Sequence, residues 1–396
     1  MRFTRTIAIC VALAAGGAAS PGQEPAAPAP TAAGRFEAGI AAQQKGDHTA
    51  ARAALEEAKT LSEAGPAESR IRYEVLKALS TVQSSMGDYE QAEQSLERAM
   101  NWRERYERAA LVDLAGDRLE MAAVLEWRKE YARAAAVLSS IEQEYLRESH
   151  NVVDPRLGDV LSRQAQVFSA MGEKSAAAYI SERTVRVRSA QLGEWHPWLT
   201  TELERLGMYS LQAREYAKAE EAYRRALLIR ERTQGRDHID LVSALDGLAY
   251  ALFGQKKHAE AEQVYSRLLN SWVQATGVEH PMAILTLDKM ASLYRDWGRE
   301  PDAVAAESKA IALRALFHAN GLAKQAGELV RQKRVSDALA IYKRALALLD
   351  ESRTEHAELR KKLSGLTAEL TPHKAPQRAK AASPAKRGVS KPAGKS

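Results

Sequence analysis

The chain reads as an all-α solenoid of about eight stacked helix-turn-helix repeats, and three observations carry that reading. First, an alanine returns at a near-constant interval: Ala51, Ala92, Ala134, Ala177, Ala219, Ala261, Ala303 and Ala338, with steps of 41, 42, 43, 42, 42, 42 and 35 residues. Second, other positions keep step with it. Twelve residues before each alanine stands a small residue (Gly39, Ser80, Ala122, Ala165, Gly207, Ala249, Ala291, Ala326), and four residues after it most units carry a large one, as at Leu55, Leu96, Leu138, Tyr223, Tyr265 and Tyr342. Third, the apolar share of 45% is dominated by Ala and Leu with only 6% aromatics, a composition of packed helices rather than sheets.

Each unit follows from close packing. Small residues let the two helices of a pair approach, and the large ones fill the space to the next pair. One hairpin cannot bury its apolar face alone, so neighbours stack into a continuous core. The turns inside the pairs carry Gly46-Asp47, Gly87-Asp88, Gly172-Glu173 and Gly298-Arg299, where glycine suits a helix end that needs a left-handed residue. Lys129, Arg214, Lys256 and Lys333 hold that place in the other units.

Before the repeats, Arg2 and Arg5 precede an apolar run from Thr6 to Ala19, and Gly17-Ala18-Ala19 offers the small side chains a signal peptidase needs. We therefore expect a signal peptide over 1–19 and export to a periplasmic or extracellular space. Cys10, the single cysteine, lies inside this run, so the exported chain would hold no disulfide and no thiol nucleophile. Residues 20–34 are rich in Pro, Ala and Gly and read as a linker. Repeats are expected over 35–353 and a charged capping helix over 354–370. The stretch 371–396 holds seven Lys or Arg, four Pro and no acid, the composition of a disordered basic tail. Of the formal net charge of +6, the two ends carry more than all, which leaves the body at −3 and argues against nucleic acid as its partner.

The register from 196 to 239 resembles the tetratricopeptide repeat, and within it the 42-residue variety of kinesin light chains and many bacterial relatives. The resemblance rests on His196-Pro197, Leu203, Leu206, Gly207 and Tyr209, then Tyr216-Ala217-Lys218-Ala219-Glu220, then the run Tyr223 to Glu231, and last Gly235 to His238. His238 and His280-Pro281 open the next two units in the same way, and the likeness extends over roughly 69–315. It implies a right-handed α-solenoid whose first helices line a concave, partner-binding groove. On that basis the groove residues are Ser162, Arg163 and Gln166; Glu204, Arg205 and Met208; Asp246 and Tyr250; and Asp288, Lys289 and Ser292. Kinesin light chains carry asparagines there that grip a peptide backbone. Here acids and bases replace them, so that family's cargo preference does not transfer.

No catalytic pattern is present: no Gly-x-Ser-x-Gly, no His-Glu-x-x-His, no phosphate loop. Gly172-Glu173-Lys174-Ser175 imitates the end of a phosphate loop but lacks its upstream glycine and strand. The recurrent His196, His238 and His280 come one per repeat, too far apart to share a metal whose ligands sit at about 2 Å, and are expected to start helices. Trp195 and Trp198 flank one such start and are expected to wedge between neighbouring pairs. We expect no enzyme, no cofactor, no metal and no small-molecule substrate, but a scaffold that holds a partner peptide. The alternative is that the basic tail tethers the chain to an anionic surface while the repeats act as a spacer.

Overall fold

A computed structural model of the chain describes residues 30–109, 114–148, 154, 156–236, 238–277 and 280–371. The expected signal peptide, most of the expected linker and all but the first residue of the expected tail lie outside the described residues. All regular elements among the described residues are helical. The chain divides into two compact units, Met1–Glu148 and Ser149–Ser396. The division falls in the one interval where the alanine spacing stretches to 43.

Unit 1 holds three helix pairs: α1 (Ala32–Gln44) with α2 (His48–Ala64), α3 (Ile71–Met86) with α4 (Tyr89–Trp102), and α5 (Ala115–Trp127) with α6 (Tyr131–Glu148). Helix α1 starts two residues before the expected end of the linker, because the Thr31 hydroxyl accepts from the Gly34 N–H and caps it there. A π-helical turn, Arg103–Glu107, continues α4. Unit 2 holds α7 (Leu157–Ala170) with α8 (Lys174–Leu192), α9 (Leu199–Gln212) with α10 (Tyr216–Gln234), α11 (Val242–Gly254) with α12 (His258–Thr276), and α13 (Pro281–Asp296), followed by α14 (Glu300–Arg331), α15 (Val335–Ala347) and α16 (Ala357–Leu370).

All eight recurring alanines are fully buried. The small residue twelve positions earlier earns its place by contact: a Cβ on Gly207 would stand 2.6 Å from the Tyr223 ring, and one on Gly247 only 2.2 Å from it. Tyr223 therefore sits in a socket made by two successive first helices. Every turn within a pair contains one left-handed residue, at φ 79° for Gly46 and φ 62° for Arg214, so lysine and arginine adopt the glycine conformation.

Between pairs, unit 2 repeats one junction. Gly193, Gly235 and Gly277 close α8, α10 and α12 at φ near 90° and ψ between 153° and 166°, a region open essentially to glycine alone. Three residues later His196, His238 and His280 each turn Nδ1 to accept the N–H two residues on, at 3.2, 3.2 and 3.3 Å. The histidines are thus helix starters, as their spacing predicted. An arginine from the following second helix clamps the loop: Arg225 donates to the Glu194 carbonyl at 2.7 Å and Arg267 to that of Arg236 at 2.7 Å.

The last unit departs from the others. Its small position Ala326, twelve residues before Ala338, was expected on a separate first helix, yet α14 runs unbroken for 32 residues and includes it. Nothing from Val304 to Leu316 breaks a helix, and the two prolines of the region stand outside that stretch.

Candidate functional site

The buried small residues Ala165, Gly207, Ala249 and Ala291 fix the rotation of α7, α9, α11 and α13. The next side chain along each helix, Gln166, Met208, Tyr250 and Ser292, is consequently turned outward and exposed, one per repeat at a 42-residue interval. Met208 is 40% and Tyr250 46% exposed, which is unusual for side chains of their size.

The charges around this row are not free. Arg205 donates to the Ser162 hydroxyl at 2.6 Å and lies 3.5 Å from Glu202. Glu204 accepts from Arg230 at 3.0 Å. Lys289 donates to Asp246 at 2.5 Å, and Arg314 to Asp288 at 2.7 Å. Arg163 is half-buried, and Ser292 returns its hydroxyl to the Asp288 carbonyl. Two of these bonds, Arg205 to Ser162 and Lys289 to Asp246, run from one first helix to the next. The acids and bases that the sequence placed in the groove therefore stitch repeats together, and the uncharged row between them is what faces solvent.

Burial pushes the Tyr223 and Tyr265 hydroxyls up, with nearby acids adding to it. On the outer helices Glu220 is held at about 2: burial works against its charge but is outweighed by Lys257, Arg224 and Gln255. Among the described residues no three His, Cys, Asp or Glu side chains gather as a metal site, and no helix is long and apolar enough to cross a membrane.

The tryptophan expectation needs correction. Trp195 is 50% and Trp198 75% exposed; neither wedges between pairs. The glycine–histidine junction holds residues 194–198 outside the helices, where Arg232 lies over the Trp195 ring at 4.6 Å and His196 meets Trp198 edge-on. Trp272 and Trp297 do pack, stacked on His280 and His258.

Sequence reasoning missed one polar centre altogether, in unit 1. Asp117, 1% exposed, accepts from the Tyr73 hydroxyl at 3.0 Å, Lys77 at 2.8 Å and Arg103 at 2.9 Å. Burial opposes its charge, yet those donors hold its carboxyl below the usual carboxylate range. Its partners lie up to 44 residues away in the chain, so no local signal exposes it.

Stacked helix pairs with this register define an α-helical repeat protein. Tetratricopeptide-repeat models match residues 199–270 and 241–315, and a second such model matches 74–106, so the chain carries tetratricopeptide repeats in both units. No curated protein matches it. Among solved structures it is similar to the nearly identical kinesin-light-chain repeats of Podosopora anserina, with 17% identity over 52% of this chain and 97% of that one, TM-score 0.45. It is similar to BtubC of P. vanneervenii at 16% identity over 60% of this chain and 92% of that one, TM-score 0.45. A signal-transduction ATPase from Pyrococcus horikoshii with a tetratricopeptide-repeat sensor matches at 17% identity over 70% of this chain and 42% of that one, TM-score 0.50. Identities this low speak for the fold alone. Tetratricopeptide repeats are in general non-catalytic scaffolds for protein contacts, and the partner is set by side chains rather than by the fold.

Proposed function

We propose that unit 2 is a non-catalytic scaffold whose first-helix face holds an extended segment of a partner protein, with Gln166, Met208, Tyr250 and Ser292 as its contact row. The observation that carries this is the exposure of four side chains at one register while the charges beside them are paired. Tyr250 offers apolar contact area on a stiff ring, Met208 an adaptable apolar contact, and Gln166 and Ser292 hydrogen bonds to a peptide main chain. Because the flanking charges are spent within the protein, recognition would be only weakly sensitive to salt. Export, which we also propose, rests on Arg2, Arg5 and the apolar run that follows.

A second reading, favoured by the seven cations of Lys374 to Lys395, makes the tail a tether to an anionic surface. Capture from cell-envelope extract separates the two readings. The full chain, a chain ending at residue 370 and a Met208→Asp/Tyr250→Asp variant would be compared at low and high salt. The groove reading expects the same protein on the first two at high salt, and at least tenfold less on the variant, since loss of a central apolar anchor costs about 2 kcal/mol. Capture that needs the tail and vanishes with salt would overturn it.

A further inference from the structure

In unit 1 a small cleft of about 240 Å³ lies between the last turn of α2, the start of α3 and the end of α4. Four cations line it, Lys59, Arg72, Arg98 and Arg105, against a single acid, Glu63. Leu76 and Trp102, both nearly buried, give it an apolar lining, and Asn101 and Tyr106 complete the wall. The π-helical turn after α4 brings the last of these residues into place. Such a turn inserts one extra residue, and π turns recur at functional sites. Here it sends Arg103 to the Asp117 carboxylate at 2.9 Å, while Arg105 and Tyr106 line the cleft.

The charges of the cleft do not cancel. Arg98 donates to Glu63 at 2.6 Å and Lys59 to Glu56 at 3.2 Å, so these two cations are paired. Arg72 and Arg105 are different: among the described residues neither meets a carboxylate. Arg72 is fixed by main-chain carbonyls instead. It donates from Nε to Ser62 at 2.9 Å and from Nη2 to Glu63 and Gly65 at 2.9 and 2.8 Å. Carbonyl dipoles orient a guanidinium without cancelling its charge, and Nη1 takes no part in these bonds. Arg105 lies over the Tyr106 ring at 5.5 Å, a contact that also leaves its charge in place, and that ring leans on Trp102 at 5.6 Å. Both guanidinium groups are thus positioned before a ligand arrives, which lowers the ordering cost of binding one.

We propose that this cleft binds a phosphate dianion, either inorganic phosphate or the phosphate of a small monoester, between Arg72 and Arg105. Two cations without a carboxylate match a group that carries about −1.5 to −2 charges near pH 7. Guanidinium forks suit its oxygens, since each presents paired N–H donors in one plane. Asn101 adds an uncharged donor at the same wall. A carboxylate, with one charge, would leave the other cation unanswered. The volume limits the ligand: small-molecule sites usually span about 300–1,000 Å³, so this one takes a phosphate and little more. The site lies in unit 1 and is independent of the contact row of unit 2.

The test is calorimetry on the full chain at constant ionic strength, with inorganic phosphate as the probe. Saturable binding is expected. Arg105→Gln, at an exposed position held by a ring, is expected to weaken it at least about tenfold with unchanged circular dichroism. Arg232→Gln is the control: another exposed arginine over an aromatic ring, in unit 2, whose loss is expected to leave binding unchanged. Equal weakening by both, or no saturable binding to the unaltered chain, would point to general attraction by a basic surface and would overturn the proposal. Acetate is expected to bind at least about tenfold more weakly than phosphate, and equal affinity would overturn the match to a dianion. Glycerol 3-phosphate and vesicles containing phosphatidic acid separate a free ester from a lipid headgroup. The free ester is expected to displace phosphate, and displacement by the vesicles alone would overturn the assignment of a small ligand.

Discussion

Unit 1 and unit 2 shape the connections between successive helix pairs by different means. Around α3, the π-helical turn and α5 of unit 1, the hold is a buried carboxylate: Asp117 gathers Tyr73, Lys77 and Arg103 from two other elements. In unit 2 the junctions are set by the backbone, with glycines at φ near 90° followed by a histidine that starts the next helix. A charge cluster gains from its partners only as long as all are present, because each was dehydrated to reach the site. A glycine junction takes its shape from the absence of a Cβ, and the Arg225 and Arg267 clamps add to it. The same repeat period is therefore compatible with side-chain or main-chain control of the connection, and the two should fail differently.

The largest expected effect is in unit 1. Asp117→Ala removes the carboxylate that Tyr73, Lys77 and Arg103 share and leaves Lys77 to Glu120 and Arg103 to Glu107, which is expected to cost about 3 kcal/mol in chemical denaturation, the lower end for a broken buried pair. A loss below 1 kcal/mol would mean that the π-helical turn is held by packing and that the contrast is false. Next is Gly235→Ala in unit 2. Nothing stands near the added Cβ, so the expected cost of about 1–3 kcal/mol is backbone strain alone. Gly65→Ala in unit 1, at φ −91°, is the control and is expected to stay within about 0.5 kcal/mol. Equal effects at the two glycines would erase the distinction. The smallest effect is a gain: Arg214→Gly relieves a left-handed arginine at φ 62° and is expected to stabilise unit 2 by about 0.5–1 kcal/mol, read as a raised melting temperature.

Much of this was legible in the sequence because it is local and repeated. Ala219 must be small since the partner helix of its own hairpin lies against it, and the same condition recurs every 42 residues. The outward row Gln166, Met208, Tyr250 and Ser292 follows from the same register, one residue after each buried small position. The spending of the groove charges was not legible. Asp246 reaches Lys289 across 43 residues, and only the stacking of α11 and α13 brings them within 2.5 Å. Trp195 and Trp198 were misplaced for a related reason: their size argues for burial, but the junction that carries them stands clear of the helices.

The sequence alone determined the helical repeat, its register and its buried alanines, because helix pairing within a hairpin involves residues close along the chain and admits few side-chain sizes. The tertiary structure decided where the repeat is broken. The Asp117 cluster and the unbroken α14 each depend on contacts between segments far apart in sequence. Arg353 on Ser308, 45 residues away, helps hold within one helix a stretch that contains a turn-forming Asn-Gly pair. Local preference is worth about 1 kcal/mol at such a glycine, and packing from both sides outweighs it.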